Sequence, residues 1–226
     1  MNIPYNIIRH YMKNVYFING TAYAGKSTMV HMLAERYGLI ECGENYHSRV
    51  SDSVATPDEQ PNISYFDTMS GWEEFLNRTP EEYDRWIVGT AREAAAFEIA
   101  ELIRLSDKGP VIVDTNIPFD ILRQIAQPDH VAVMLSPQSM SVERFFDRPD
   151  PEKQFLLQKI GECADPQATM ENFRACLAKI NSPEHYAECA NAGFFTLVRE
   201  NADADTREQV LHRLAVHFGL ERITGE

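Results

Sequence analysis

Gly20-Thr21-Ala22-Tyr23-Ala24-Gly25-Lys26-Ser27-Thr28 matches the pattern G-x-x-x-x-G-K-[ST] at every fixed position. The stretch reads as a phosphate-binding loop, and both flanks agree with that reading. The apolar run Val15-Tyr16-Phe17-Ile18 precedes it as a strand and residues 27–37 follow it as a helix, which is the setting the motif requires. Gly20 and Gly25 lack a Cβ and accept backbone angles closed to other residues, so successive N–H groups can turn inward around phosphates. The same amides open a helix, where the macrodipole favours an anion. Lys26 adds a cation for the β- and γ-phosphates, and Ser27 places a hydroxyl where magnesium needs a ligand.

Outward from this loop, Gly38 is a helix stop and Leu39-Ile40-Glu41-Cys42 reads as a second strand. Residues 50–78 are polar at first, with Pro57 and Pro61, and then amphipathic around Tyr65-Phe66, Trp72 and Phe75-Leu76; they read as an insertion that covers something. Thr79-Pro80-Glu81-Glu82 has the form of a capping box with proline at the first helical position, and predicts a long helix over 80–105. Val111-Ile112-Val113-Asp114 is a β-branched run of the kind buried in a parallel sheet. A helix over 119–126, a strand over 131–135 and a helix over 138–146 follow. Arg148-Pro149-Asp150-Pro151 breaks that helix, and helical segments then run through Phe155-Leu156-Leu157 and 170–180. A last strand over 194–198 precedes a helix over 206–218. Alternating strands and helices imply a doubly wound α/β sheet with right-handed crossovers. Residues 1–13 show no clear periodicity, and Met12 offers an alternative translation start.

The 226 residues suit one domain with an insertion. Hydrophobic residues make up 44% and charged residues 24%, enough for a sizeable core. The net charge of −13 argues against a nucleic-acid partner, since neutralising backbone phosphates needs the opposite sign. Cys42, Cys163, Cys176 and Cys189 form no C-x-x-C pair and share no metal-ligand spacing, so they read as reduced structural thiols. The absence of a signal-like or membrane-spanning apolar run predicts a cytoplasmic setting with no membrane partner.

With its phosphate loop on the first strand, an aspartate ending the third and arginines after the fourth, the chain resembles the P-loop kinase group. That group includes shikimate kinase, the nucleoside monophosphate kinases and chloramphenicol phosphotransferase. The likeness spans most of the chain as architecture, while the specific motif is confined to residues 20–28. It implies a P-loop NTPase three-layer sandwich with a five-stranded parallel sheet in the order 2-3-1-4-5. The single domain would carry an insertion over about 45–106 and a lid over about 147–166. It also implies an ATP- and Mg2+-dependent phosphotransferase that moves the γ-phosphate to a small-molecule acceptor.

Carried over residue by residue, the resemblance gives Asp114 the place of the acidic residue that holds magnesium with Ser27; the other reading is a cap on the next helix. Glu44 follows the second strand, where several of these kinases face the acceptor with a carboxylate that takes a hydroxyl proton; a solvated loop glutamate is the alternative. Tyr46, Arg49 and the weaker candidate His47 share that turn. Arg85, Gly89 and Arg92 share one face of the long helix. An interior glycine costs a helix about 1 kcal/mol relative to alanine. It marks either a notch for an anionic substrate or close packing with both arginines solvated. Arg144 and Arg148 match the lid arginines that cover the γ-phosphate, or else end a surface helix with favourable charge. Asn201-Ala202-Asp203 falls where the group holds adenine. One departure bears on substrate: Asp114-Thr115-Asn116-Ile117-Pro118 is followed by Phe119, without the arginine that grips a nucleoside monophosphate.

Two rivals stand beside the transferase. A nucleotide-switched regulatory ATPase would want a water-activating glutamate beside Asp114, where Thr115 and Asn116 stand. A polynucleotide end kinase conflicts with the charge.

Overall fold

The computed structural model describes residues 3–147, 151–200 and 205–221. Its chain opens with a short helix, α1 (Tyr5–Tyr11), and a 3-10 turn, Met12–Asn14, leading into strand β1 (Val15–Gly20). Helix α2 (Lys26–Tyr37) and strand β2 (Ile40–Cys42) follow. Three short helices come next, α3 (Ser48–Val54), α4 (Tyr65–Thr68) and α5 (Trp72–Leu76), and then the long α6 (Pro80–Ser106). Strand β3 (Val111–Asp114), α7 (Phe119–Ile125), β4 (Val131–Leu135) and α8 (Gln138–Glu143) complete the middle of the chain. The last part holds α9 (Pro151–Gly161), α10 (Pro166–Ile180), α11 (Pro183–Ala190), β5 (Phe195–Val198) and α12 (Arg207–His217).

The five strands form one sheet in the order β2-β3-β1-β4-β5, with every neighbouring pair parallel. Side chains alternate across it as the pleat requires. Tyr16, Ile18 and Ile112 pack on Val30 and Leu33 of α2 and Leu211 and Leu214 of α12. Val15, Phe17, Val111 and Val113 pack on Ile8 of α1, Leu102 of α6 and Leu122 of α7. Both faces are therefore covered, which is why β3 and β4 are buried at every residue rather than at alternate ones. The register sets Asp114 opposite Ile18 and Met134 opposite Gly20. Consequently the carboxylate that ends β3 lies beside the loop that leaves β1.

Helix α6 begins where its cap predicts. The Thr79 hydroxyl accepts from the Glu82 amide at 3.3 Å and the Thr79 amide donates to the Glu82 carboxylate at 2.9 Å. Such a cap contributes about 1 kcal/mol.

Three segments differ from the expectation. The N-terminal residues form α1, and Met12 is buried in the core although no periodicity announced it. The helix expected over 138–146 stops at Glu143, because Phe145 and Phe146 turn in against Phe173 of α10. Helix α11 was not anticipated, although Ser182 caps it by accepting from the His185 amide, and Pro183 opens it. No helix among the described residues is long and apolar enough to cross a membrane.

Candidate functional site

The β1–α2 loop is held from outside, and that decides what its inside offers. The carbonyl of Ala22 accepts from the Ser136 hydroxyl at 2.6 Å and from Ser141 at 3.3 Å, and the carbonyl of Tyr23 accepts from an Arg199 Nη at 3.1 Å. In a planar trans peptide the N–H points opposite to the C=O. With these carbonyls bonded outward, the amides of Tyr23 and Ala24 face the concave side. Ser136 also donates its own amide to Thr21 Oγ1 at 2.9 Å, and the Thr21 amide donates to the Met134 carbonyl at 3.0 Å. Gly20 is required here: a Cβ on it would stand 1.9 Å from the Met134 carbonyl oxygen. Tyr23 and Gly25 take positive φ, at 64° and 89°, and this winding brings successive amides around one concavity. Gly25 is the N-cap of α2; the amides after it have no partner one turn back, an arrangement that suits an anion.

Lys26, Ser27 and Asp114 meet at one edge of this concavity. The Ser27 hydroxyl donates to Asp114 Oδ2 at 2.7 Å, and Lys26 Nζ lies 3.9 Å from Asp114 Oδ1 and donates to the Thr21 carbonyl at 3.3 Å. Asp114 is 2% exposed, and its Oδ1 is buried without a hydrogen bond. Burial raises its carboxyl above the ordinary range, while Lys26 and the Ser27 bond pull it back. A buried carboxylate oxygen left open beside a serine hydroxyl is a donor set suited to a hard divalent cation, which takes oxygen ligands. Ser27 and Asp114 would hold Mg2+ here.

Glu44 is exposed in the β2–α3 turn, and its charge pushes up the carboxyls of both Asp114 and Glu98, so it stands over the same end of the sheet. Tyr46 instead turns inward and donates to the Glu98 carbonyl at 3.2 Å. His47 is buried with Nδ1 3.2 Å from the Ser51 hydroxyl, and burial lowers its pKa. Arg49 acts on Glu101. On α6, Arg85 is exposed, while Arg92 pairs with Asp120 of α7 at 3.2 Å. The notch at Gly89 is filled: an added Cβ would meet the Asn62 carboxamide at 2.5 to 2.8 Å. Asn62 is gripped there by the Glu93 carboxylate, which also accepts from its amide, and its carbonyl accepts from Trp86 Nε1 at 2.9 Å. Gly89 is closely packed, but against the turn at Asn62, and Arg92 is paired rather than solvated.

Arg144 follows the end of α8. Its carbonyl accepts from the Tyr23 hydroxyl of the loop at 2.6 Å, and the residue is exposed. Arg148 and Asn201, with Ala202 and Asp203, lie outside the described residues. A cavity of about 370 Å³ opens beside the loop, walled by Ala24, Met29, Met134 and Leu197 and by Arg199 and Arg207 on either side of that last segment. Its apolar walls suit a flat heterocycle next to the loop's concavity.

Sequence reasoning missed Ser136, Ser141, Arg199 and Glu98. Ser136 and Arg199 directly follow β4 and β5, and that position at the C-terminal edge of a parallel sheet was the available signal, while Ser141 lies in α8. Glu98 gave none beyond being an acid on the inner face of a helix. A scan against protein-family models finds no match for the chain, and a search of the curated proteins finds none either.

Proposed function

We propose that the chain is a magnesium-dependent phosphotransferase that moves the γ-phosphate of ATP to a hydroxyl of a small-molecule acceptor. The observation that carries this reading is the meeting of Lys26, Ser27 and Asp114 at the rim of an amide-lined loop, with Asp114 Oδ1 buried and open. The loop amides and Lys26 would bind and orient the β- and γ-phosphates, and the 370 Å³ cavity would take the base. Mg2+, when bound, supplies positive charge to the phosphate oxygens.

In the transfer a bond forms between the acceptor oxygen and the γ-phosphorus while the bond to the β–γ bridging oxygen breaks, and ADP leaves. Glu44, over the Asp114 end of the sheet, takes the proton of the acceptor hydroxyl. Catalysis in such a reaction is chiefly positioning and charge stabilisation, and a rigid, outward-anchored loop suits both.

The test is ADP release with and without a pooled library of hydroxylated metabolites. Stimulation by a component of the pool supports transfer, whereas turnover indifferent to the pool supports the regulatory ATPase. Lys26→Ala should lower turnover about a hundredfold or more, the scale of losing a preorganised charge, with the melting temperature little changed. Unchanged turnover in the folded variant would sink the assignment.

A further inference from the structure

A buried carboxyl on the long helix reaches the phosphate site through a chain of short hydrogen bonds. Glu98 of α6 is 3% exposed. Its Oε2 accepts from the Thr115 hydroxyl at 2.6 Å, and that hydroxyl in turn accepts from the Ile117 amide at 3.0 Å. The Ile117 carbonyl accepts from Asn19 Nδ2 at 2.9 Å, and Asn19 Oδ1 accepts from the Gly20 amide at 2.6 Å. Every member from Glu98 to Asn19 is buried. The segment is fixed a second time where the Thr115 amide donates to the Ile18 carbonyl at 3.0 Å.

The direction of each bond is forced. Because Thr115 Oγ1 accepts from an amide that has nothing else to give, its one proton must go to an acceptor, and Glu98 is that acceptor. An apolar residue at 98 would leave a buried hydroxyl proton unsatisfied, and Thr115 would lose the orientation that holds Ile117. Asp114 immediately precedes Thr115, and Asn116, exposed between the two anchored neighbours, forms the crest of the turn.

We infer that Glu98 is a positioning residue for the phosphate site: through Thr115, Ile117 and Asn19 it ties the acceptor-side helix to Asp114 and to the first glycine of the loop. The catalytic part of this inference rests on the transferase reading, and the relay itself does not. The same residue serves the acceptor side, since the Glu98 carbonyl accepts from Tyr46 in the β2–α3 turn. One turn of α6 thereby fixes both walls of the cleft.

The experiment has two independent readouts on Glu98→Gln, Glu98→Ala and Thr115→Val. Native-state amide exchange at Ile117 and Gly20 reports the relay without any activity. Thr115→Val and Glu98→Ala should speed exchange at Ile117 about tenfold, with a smaller effect at Gly20, because a buried partner is lost. Glu98→Gln keeps an acceptor oxygen and should stay near wild type. Steady-state kinetics should show kcat lower by about tenfold to a hundredfold in Thr115→Val and Glu98→Ala, the range for supporting residues around a metal site. The ATP KM and the affinity for a fluorescent ATP analogue with magnesium should change little. Unchanged Ile117 exchange in folded Thr115→Val, or Glu98→Gln behaving like Glu98→Ala, overturns the relay. Faster exchange with no acceptor-stimulated turnover in wild type upholds the relay and removes the transferase reading instead.

Discussion

The two ends of this molecule are built by different means. At the β1–α2 loop, nine consecutive residues take up a fixed winding, and their surroundings act mainly on backbone groups: Ser136, Ser141 and Arg199 all bond to carbonyls. Across the cleft, the short helices α4 and α5 are held by side-chain packing with each other, with the start of α6 and with α9. The Phe75 ring lies 5.1 to 6.1 Å from those of Tyr65, Phe66, Trp72, Tyr83 and Trp86, and Trp72 meets Phe155 of α9 at 5.0 Å. Arg78 lays its guanidinium 3.6 Å over the Tyr65 ring. The comparison teaches that the β1–α2 loop depends on local backbone geometry and is insensitive to most side chains around it. The helical end depends on packing, so its shape can be remade by substitution without disturbing the loop.

The contrast breaks first under a large cavity. Phe75→Ala should cost about 3 to 5 kcal/mol of stability, the range for deleting a buried aromatic ring, read from the denaturant midpoint. Binding of the fluorescent ATP analogue by the fraction that remains folded should be unchanged. Lys26→Ala predicts the converse, lost turnover with stability kept. If Phe75→Ala weakens nucleotide binding in proportion to stability, the two ends are not separable.

Glu98 sharpens the boundary between them through pH. Burial lifts its carboxyl from 4.5 to about 7, with Asp114 and Glu44 adding to the rise and the bond from Thr115 opposing it. Between those values the folded chain keeps a proton that the unfolded chain has released. Stability is therefore full at acid pH and falls as pH rises through about 7, by about 3 kcal/mol in all. Glu98→Gln should remove most of that slope when midpoints are compared at about pH 5 and about pH 8. Equal slopes in the two proteins would show that this carboxyl does not titrate as its burial requires.

The smallest effect is expected at Arg92. Its pair with Asp120 is half exposed on both sides, and such pairs contribute about 0 to 1 kcal/mol. Arg92→Ala should leave the denaturant midpoint almost unmoved. A large rise in acceptor KM would return Arg92 to the substrate site from which its pairing with Asp120 draws it away.

The sequence alone was enough for the β1–α2 loop and for the frame around it. The loop pattern, the apolar runs at 15–18, 111–113 and 131–135 and the Thr79 cap are local signals. Each predicts its element because backbone freedom, strand burial and capping act within a few residues. Even the unanticipated α11 carried such a signal in Ser182 and Pro183.

What only the tertiary structure decided is which side chains meet. Gly89 reads the same whether its notch admits a substrate or a neighbour, until Asn62 is seen to occupy it. Phe145 and Phe146 continue a helical pattern on paper, and contact with Phe173 ends it. Glu98 looks like any helical glutamate, and becomes the hidden anchor of Thr115 only when β3 is laid beside α6. The reason is physical: a backbone preference is a property of neighbours in the chain, whereas burial and the partner of a polar group are set by residues tens of positions away.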